Sequence, residues 1–175
     1  MQDDAVVSIA QDLGVALTDR GNQAYYEPGR DAITMPLRTS FVSPADYDTV
    51  LLHEIGHATG HPSRLNRSLG GHFGSTEYAK EELRAEISAA MNARAMGIAF
   101  EPSAVNKAER SGLENSAAYL RHWLGMLPEE DRKIELMAAI SSAQKISDYV
   151  LEFTLKEDRA EEIDRHVSVG PRMRL

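Results

Sequence analysis

Residues 43–60 read SPADYDTVLLHEIGHATG, and this stretch decides the fold. Ser43, Pro44 and Asp46 form a helix start: a hydroxyl to cap free N–H groups, a proline in the first turn, and an acid beside the helix's positive end. With Gly60 as the C-cap, the spacing predicts a helix to about Thr59. Inside it stands His53-Glu54-Ile55-Gly56-His57. Positions i and i+4 share one helix face, so both imidazoles can reach a single metal ion. Glu54 projects to the side, where it can take a proton from a water acidified by that metal. Leu51, Leu52, Ile55 and Ala58 make this helix largely apolar. The two histidines therefore belong in or near a core, where a polar pair needs a partner.

A catalytic zinc centre takes three protein ligands and leaves a fourth position open. The histidine-extended motif is excluded, because Ser63 stands where its third histidine would be. His61 follows the cap and points away, His72 lies in a glycine-rich loop, and His122 and His166 belong to other elements. The loop over 61–74 is followed by Ser75, which caps a long helix to about Met96, ended by Gly97. On that helix Glu82 and Glu86 are spaced i, i+4 and share a face with Ala79, Leu83, Ala89 and Ala90, whereas Glu81 is expected to be solvated. Two carboxylates on an apolar face need a cation. Glu82 is assigned as third ligand and Glu86 as the carboxylate that accepts a histidine's other N–H. The reverse assignment stays open.

The rest of the chain frames this pair of helices. Residues 5–14 predict a short helix stopped by Gly14. Ala24-Tyr25-Tyr26 and Ala32-Ile33-Thr34-Met35 flank a turn containing Pro28 and Gly29, so a β-hairpin is expected. A third helix is expected over about 115–127, with Tyr119, Leu120, Trp123, Leu124 and Leu127 on one face. One or two more follow over about 129–163, with Ile134, Met137, Ile140, Ile146, Val150 and Phe153 as apolar positions, and Trp123, Met126 and Met137 are read as core. The tail from His166 is expected to fray. The fold class is a mostly helical α+β domain with a small hairpin or sheet beside the active-site helix.

Composition narrows the chemistry. The chain has 175 residues, one domain of ordinary size, with 27 acidic against 19 basic side chains and a net charge of −8. Such a surface repels phosphate backbones, which argues against nucleic acid as a partner of this chain alone. The absence of cysteine excludes disulfides, thiolate ligands and a cysteine nucleophile, so a metal must be held by His, Asp and Glu. No apolar run approaches a membrane span and the first residues are acidic; the expectation is a soluble, cytoplasmic protein with no membrane partner.

H-E-x-x-H followed by E-x-x-x-[D/E] on a second helix resembles the gluzincin metallopeptidases. Asn22 to Tyr26, HEIGHATGHPSRLNR, FGSTEYAKEELRAE, AAYLRHWL and AAISSAQKISDYV together are similar to the zincin-like metallopeptidase domain of ArdC-type antirestriction proteins, found on plasmids, conjugative elements and phages. The resemblance runs from about residue 13 to about 153. It implies that residues 1–175 are one zincin-like domain, the C-terminal part of a longer protein whose absent N-terminal domain binds single-stranded DNA. It also implies protection of incoming DNA from restriction.

The function expected is therefore a zinc-dependent peptidase acting on a peptide or protein substrate. His53, His57 and Glu82 hold one Zn²⁺, Glu54 is the general base and Glu86 supports a ligand; Mn²⁺, Co²⁺ or Ni²⁺ fit the same donors. Tyr78, Tyr119 and His72 are candidates for stabilising the oxyanion. In related folds an edge strand of the sheet pairs with the substrate, and Ala32 to Met35 is the candidate for it. The alternative function is a catalytically silent, metal-stabilised binding module whose acidic surface engages a host restriction or other protein.

Overall fold

The computed structural model describes residues 5–69, 71–98 and 120–168, with side chains of the last helix described as far as residue 154. Ser43 accepts the backbone N–H of Asp46 while Asp46 accepts the N–H of Ser43, a reciprocal capping box, and Pro44 occupies the first turn. The helix so started, Pro44–Ala58, is the second of the chain and is called α2. It ends one residue before the expected glycine: Thr59, still in helical conformation, is the C-cap. The chain then folds back, Leu65 N–H donating to Thr59 O, Asn66 to His61 O and Arg67 to Gly60 O. Gly60 N–H donating to His57 O and His61 N–H to Ala58 O satisfy carbonyls at the C-terminal end of α2.

The elements before it are α1 (Ala5–Asp12), β1 (Ala16–Asp19), β2 (Tyr25–Glu27) and β3 (Ala32–Met35). Gly14, at φ +73°, turns the chain from α1 into β1. The expected hairpin is present as β2 against β3, antiparallel, with Tyr26 opposite Ile33. The additional strand β1 lies on the other side of β3, parallel to it, with Leu17 opposite Ile33. The sheet order is therefore β1-β3-β2. This corrects the assignment of Ala32–Met35 as an edge strand: β3 is central, and Ile33, Thr34 and Met35 are buried. A short exposed strand such as β1 carries no alternating apolar signal, so its covering of β3 is not visible in the sequence.

After α2 come α3 (Thr76–Ala95), capped by Ser75, then helical residues 120–125, called α4, and the long α5 (Arg132–Ser168). The first part of the expected third helix, residues 115–119 and with it Tyr119, lies outside the described residues. As a single helix α5 continues past both expected limits, Ile163 and His166. One core joins Val6, Ile9, Ile33, Met35, Tyr47, Leu51, Leu52, Ile55, Ala89, Ile146 and Val150; a second joins Ala79, Leu83, Trp123, Leu127 and Ala139. Ala139, Ala143, Ile146 and Val150 form the buried stripe of α5. Ile134, Met137 and Ile140 lie off that stripe and are exposed, so Met137 is not core as expected. No helix among the described residues is long and apolar enough to cross a membrane.

Candidate metal centre

The site lies where α2 and α3 cross. Gly56 permits this crossing: a Cβ there would meet Ser88 Oγ at 2.9 Å and Ala85 Cα at 3.3 Å. At that separation the carboxylates of α3 reach the imidazoles of α2. His53 Nε2 and His57 Nε2 are 3.1 Å apart, and Glu82 spans them, Oε2 at 3.4 Å from His53 Nε2 and Oε1 at 3.4 Å from His57 Nε2. Four ligands set tetrahedrally at about 2.0–2.1 Å from a zinc ion are separated by about 3.3–3.4 Å. One donor atom from each of His53, His57 and Glu82 lies within 4.8 Å of the other two, and each imidazole is near that separation from one oxygen of Glu82, so these residues fit a divalent ion.

The outer contacts differ for the two histidines. Glu86 Oε2 is 3.0 Å from His53 Nδ1, a full hydrogen bond, and so lies on the far side of the ring from Glu82. Glu81 Oε1 is 3.5 Å from His57 Nδ1. Glu81 is buried, at 4% exposure, which corrects the expectation of a solvated side chain. The reason is that α3 packs against both α2 and α5, so its buried arc extends from Ala79 round to Glu81, Ala85, Ser88 and Asn92. Arg67 supplies the countercharge, with Nη2 at 2.7 Å from Glu81 Oε1.

The electrostatics ask for positive charge. Burial opposes protonation of His57, yet Glu81 and Glu82 outweigh it and push its pKa up to about 9. His53 is likewise raised, burial being overcome by Glu82 and Glu86. Burial acts to raise Glu82, but the two histidines hold its carboxyl far below the usual range. A buried cluster of this kind holds either protons on its imidazoles or a metal ion that displaces them.

Glu54 is buried and faces the same cleft, which has a volume of about 680 Å³. Tyr25 and Tyr26 of β2 line it, as do Phe73, Tyr78 and Trp123, whose rings contact one another through Tyr78. Of the three candidate oxyanion donors, Tyr78 lines the cleft, His72 is exposed and is not among its lining residues, and Tyr119 is not described. His61 is half-buried, is not among the residues that line the cleft, and its Nδ1 pairs with Ser63.

Two arginines of the loop were not singled out from the sequence. Arg64 donates from Nε to Ala58 O at 2.8 Å and from Nη1 to Leu13 O and to Asp31, and it also grips Asp31 through Nη2. Arg67 donates to Gly56 O at 2.8 Å and to Thr59 Oγ1 at 2.7 Å. Both satisfy carbonyls at the C-terminal end of α2, where cations are favourable. Two arginines within ten residues of a helix end are the signal that could have found them.

Comparison with known proteins follows the same line. The profile of a family described as zincin-like metallopeptidase matches residues 4–142. The chain belongs to that family. A DNA primase TraC of Escherichia coli is 42% identical over 137 residues, covering 78% of this chain and 9% of its own length. A protein y4eC of Sinorhizobium fredii is 37% identical over 138 residues, covering 79% of this chain and 41% of its own length. Among solved structures, the antirestriction protein ArdC of plasmid R388 is similar in its Mn(II)-bound form, with a TM-score of 0.64 and 32% identity over 85% of this chain and 51% of ArdC. Its metal-free form gives a TM-score of 0.62. This zincin-like chain thus spans about half of ArdC and a tenth or less of that TraC primase.

Proposed function

We propose that this zincin-like domain is a metal-dependent peptidase that acts in the cytoplasm within an ArdC-like antirestriction system. The observation that carries the reading is the triangle of His53 Nε2, His57 Nε2 and the Glu82 carboxylate, beside a buried Glu54 in an open cleft. His53, His57 and Glu82 would hold the ion, and Glu86 fixes the His53 ring through Nδ1. Bound there, Zn²⁺ or a similar divalent ion supplies a Lewis acid that acidifies water and polarises a carbonyl. Glu54 takes the proton from the attacking water and passes it to the leaving amine. Tyr78, on the cleft wall, is the best-placed side chain to donate to the developing oxyanion.

β2 is the sheet edge that borders the cleft, so an extended peptide or protein substrate adds to the sheet beside Tyr25 and Tyr26. Single-stranded DNA, by this reading, is handled by other parts of a longer protein, in keeping with the net charge of −8. The metal-stabilised binding module is less favoured. This chain is about equally similar to ArdC in its Mn(II)-bound and metal-free forms, which supports a site whose ion is not there to hold the fold.

Glu54→Gln tests the proposal. The variant is expected to keep one metal ion per chain and to lose peptide hydrolysis by at least about 100-fold, the usual worth of a general base. Unchanged hydrolysis would remove Glu54 from the mechanism. Full antirestriction by Glu54→Gln in the full-length protein would mean that proteolysis is not how DNA is protected.

A further inference from the structure

We propose that Glu81 and Arg67 are positioning residues for His57, a second outer brace that completes the metal site from the loop side. The inference rests on the metal-site reading above and goes beyond it by assigning two residues to His57. An imidazole that ligates through Nε2 must carry its proton on Nδ1, and that proton needs an acceptor to fix tautomer and ring orientation. For His53 the acceptor is Glu86. For His57, the acid that faces Nδ1 is Glu81, whose Oε1 lies 3.5 Å away.

Glu81 cannot drift from this position. Arg67 binds both its oxygens, Nη2 to Oε1 at 2.7 Å and Nε to Oε2 at 3.5 Å, and Arg84 Nη1 reaches Oε2 at 3.3 Å. Arg67 is in turn bolted to α2 through Gly56 O and Thr59 Oγ1, on either side of His57 in sequence. One guanidinium thus ties the turn that bears His57 to the turn of α3 that bears Glu81 and its neighbour Glu82. The brace fixes two ligands at once: the ring of His57 directly, and Glu82 through the shared helical turn. The shared Oε1 also explains why His57 is braced at 3.5 Å and His53 at 3.0 Å, since Arg67 draws that oxygen towards itself.

A salt bridge that served only the fold would be replaceable by apolar side chains of similar size without loss of metal binding. The decisive experiment therefore uses Glu81→Gln and the double variant Arg67→Met/Glu81→Leu, which removes the two buried charges together and leaves only the partly exposed Arg84 without its contact to Glu81. Zn²⁺ affinity is measured by competition with a chromophoric chelator, and the exchangeable imidazole N–H signals are recorded by proton NMR on the Co²⁺-loaded protein. Both variants are expected to bind Zn²⁺ about 10–100-fold more weakly than wild type. The shifted N–H signal of His57 moves and exchanges faster with water, while that of His53 stays; Glu86→Gln gives the reverse pattern. His61→Ala, at a histidine outside the site, keeps wild-type affinity. A folded double variant that binds Zn²⁺ within about threefold of wild type, with the His57 signal unmoved, overturns the brace and leaves the metal site standing. Wild-type protein that takes up no Zn²⁺ overturns the metal-site reading and the brace with it.

Discussion

Gly56 of α2 faces the backbone of Ala85 of α3: a Cβ on Gly56 would stand 3.3 Å from the Ala85 Cα. The glycine inside the metal motif is thus a packing residue, and its missing side chain lets Glu82 and Glu86 reach the imidazoles. Gly56→Ala gains about 1 kcal/mol of helix propensity but overpacks the crossing, at a typical cost of about 1–3 kcal/mol. The tightest contact of the new methyl is Ser88 Oγ at 2.9 Å, so Ser88→Ala relieves it. In urea denaturation, Gly56→Ala is expected to be more favourable in the Ser88→Ala background than in wild type by at least about 0.5 kcal/mol, the scale of contact coupling. Strict additivity would show that the helices do not touch here.

The unequal placement of Glu82 and Glu86 gives a second test. Glu82 faces both Nε2 atoms, whereas Glu86 faces Nδ1 of His53. Glu82→Ala is expected to abolish metal uptake in the purified protein, and Glu86→Ala to weaken it about 10–100-fold. Metal content per chain, measured at several free-metal concentrations, separates the two. Loss with Glu86→Ala and retention with Glu82→Ala would exchange their roles.

How much of this was legible in the sequence follows from the range of each signal. Ser43, Pro44, Asp46 and the histidine pair act within one helix, so local pattern finds them. Glu82 and Glu86 were within reach because i, i+4 spacing on an apolar face is also a one-helix property. Glu81 was missed because its burial depends on α3 being covered from two sides, and one apolar stripe cannot report two neighbours. The same holds for β3: Ala16–Asp19 has no alternation to announce it, yet its pairing turns an apparent edge strand into a central one. Arg64 and Arg67 look like ordinary loop cations until the free carbonyls at the end of α2 are counted. Met137 shows the converse error, since helical spacing alone does not say which stripe of a long helix meets the core.

Asp31 gives a pH test well away from the metal. It sits at φ +48°, a left-handed conformation that Asp and Asn both tolerate, so Asp31→Asn removes the charge with little backbone strain. Burial acts to raise its pKa, but Arg64 and the Tyr26 hydroxyl outweigh it and hold the carboxyl below its ordinary 3.8. A depressed folded-state pKa contributes stability that is fully present above the unfolded value and is lost as pH falls through the folded value. Wild type is therefore expected to be more stable than Asp31→Asn at pH 7, and the gap should shrink only below about pH 4. Denaturant midpoints of the two proteins between pH 7 and pH 2.5 check this. A gap unchanged across that range would mean that the charge of Asp31 does not stabilise the fold.

The position of β2 predicts how a peptide is read. Its pairing with β3 uses one edge, and its other edge has no strand partner among the described residues. Tyr25 and Tyr26 border the cleft that contains Glu54. A substrate added to this edge exchanges backbone hydrogen bonds at every second residue, because successive residues of a strand point their amides to opposite sides. In a peptide series N-methylated at one nitrogen at a time, cleavage should fall at alternate positions and persist between them. Each lost bond is worth about 0.5–1.5 kcal/mol, so kcat/KM should drop about 2- to 12-fold per sensitive nitrogen. Metal content is untouched by a change made in the substrate. A series in which all positions tolerate methylation equally would remove strand addition from the binding mode and leave the side-chain walls of the cleft, Phe73, Tyr78 and Trp123, to hold the substrate.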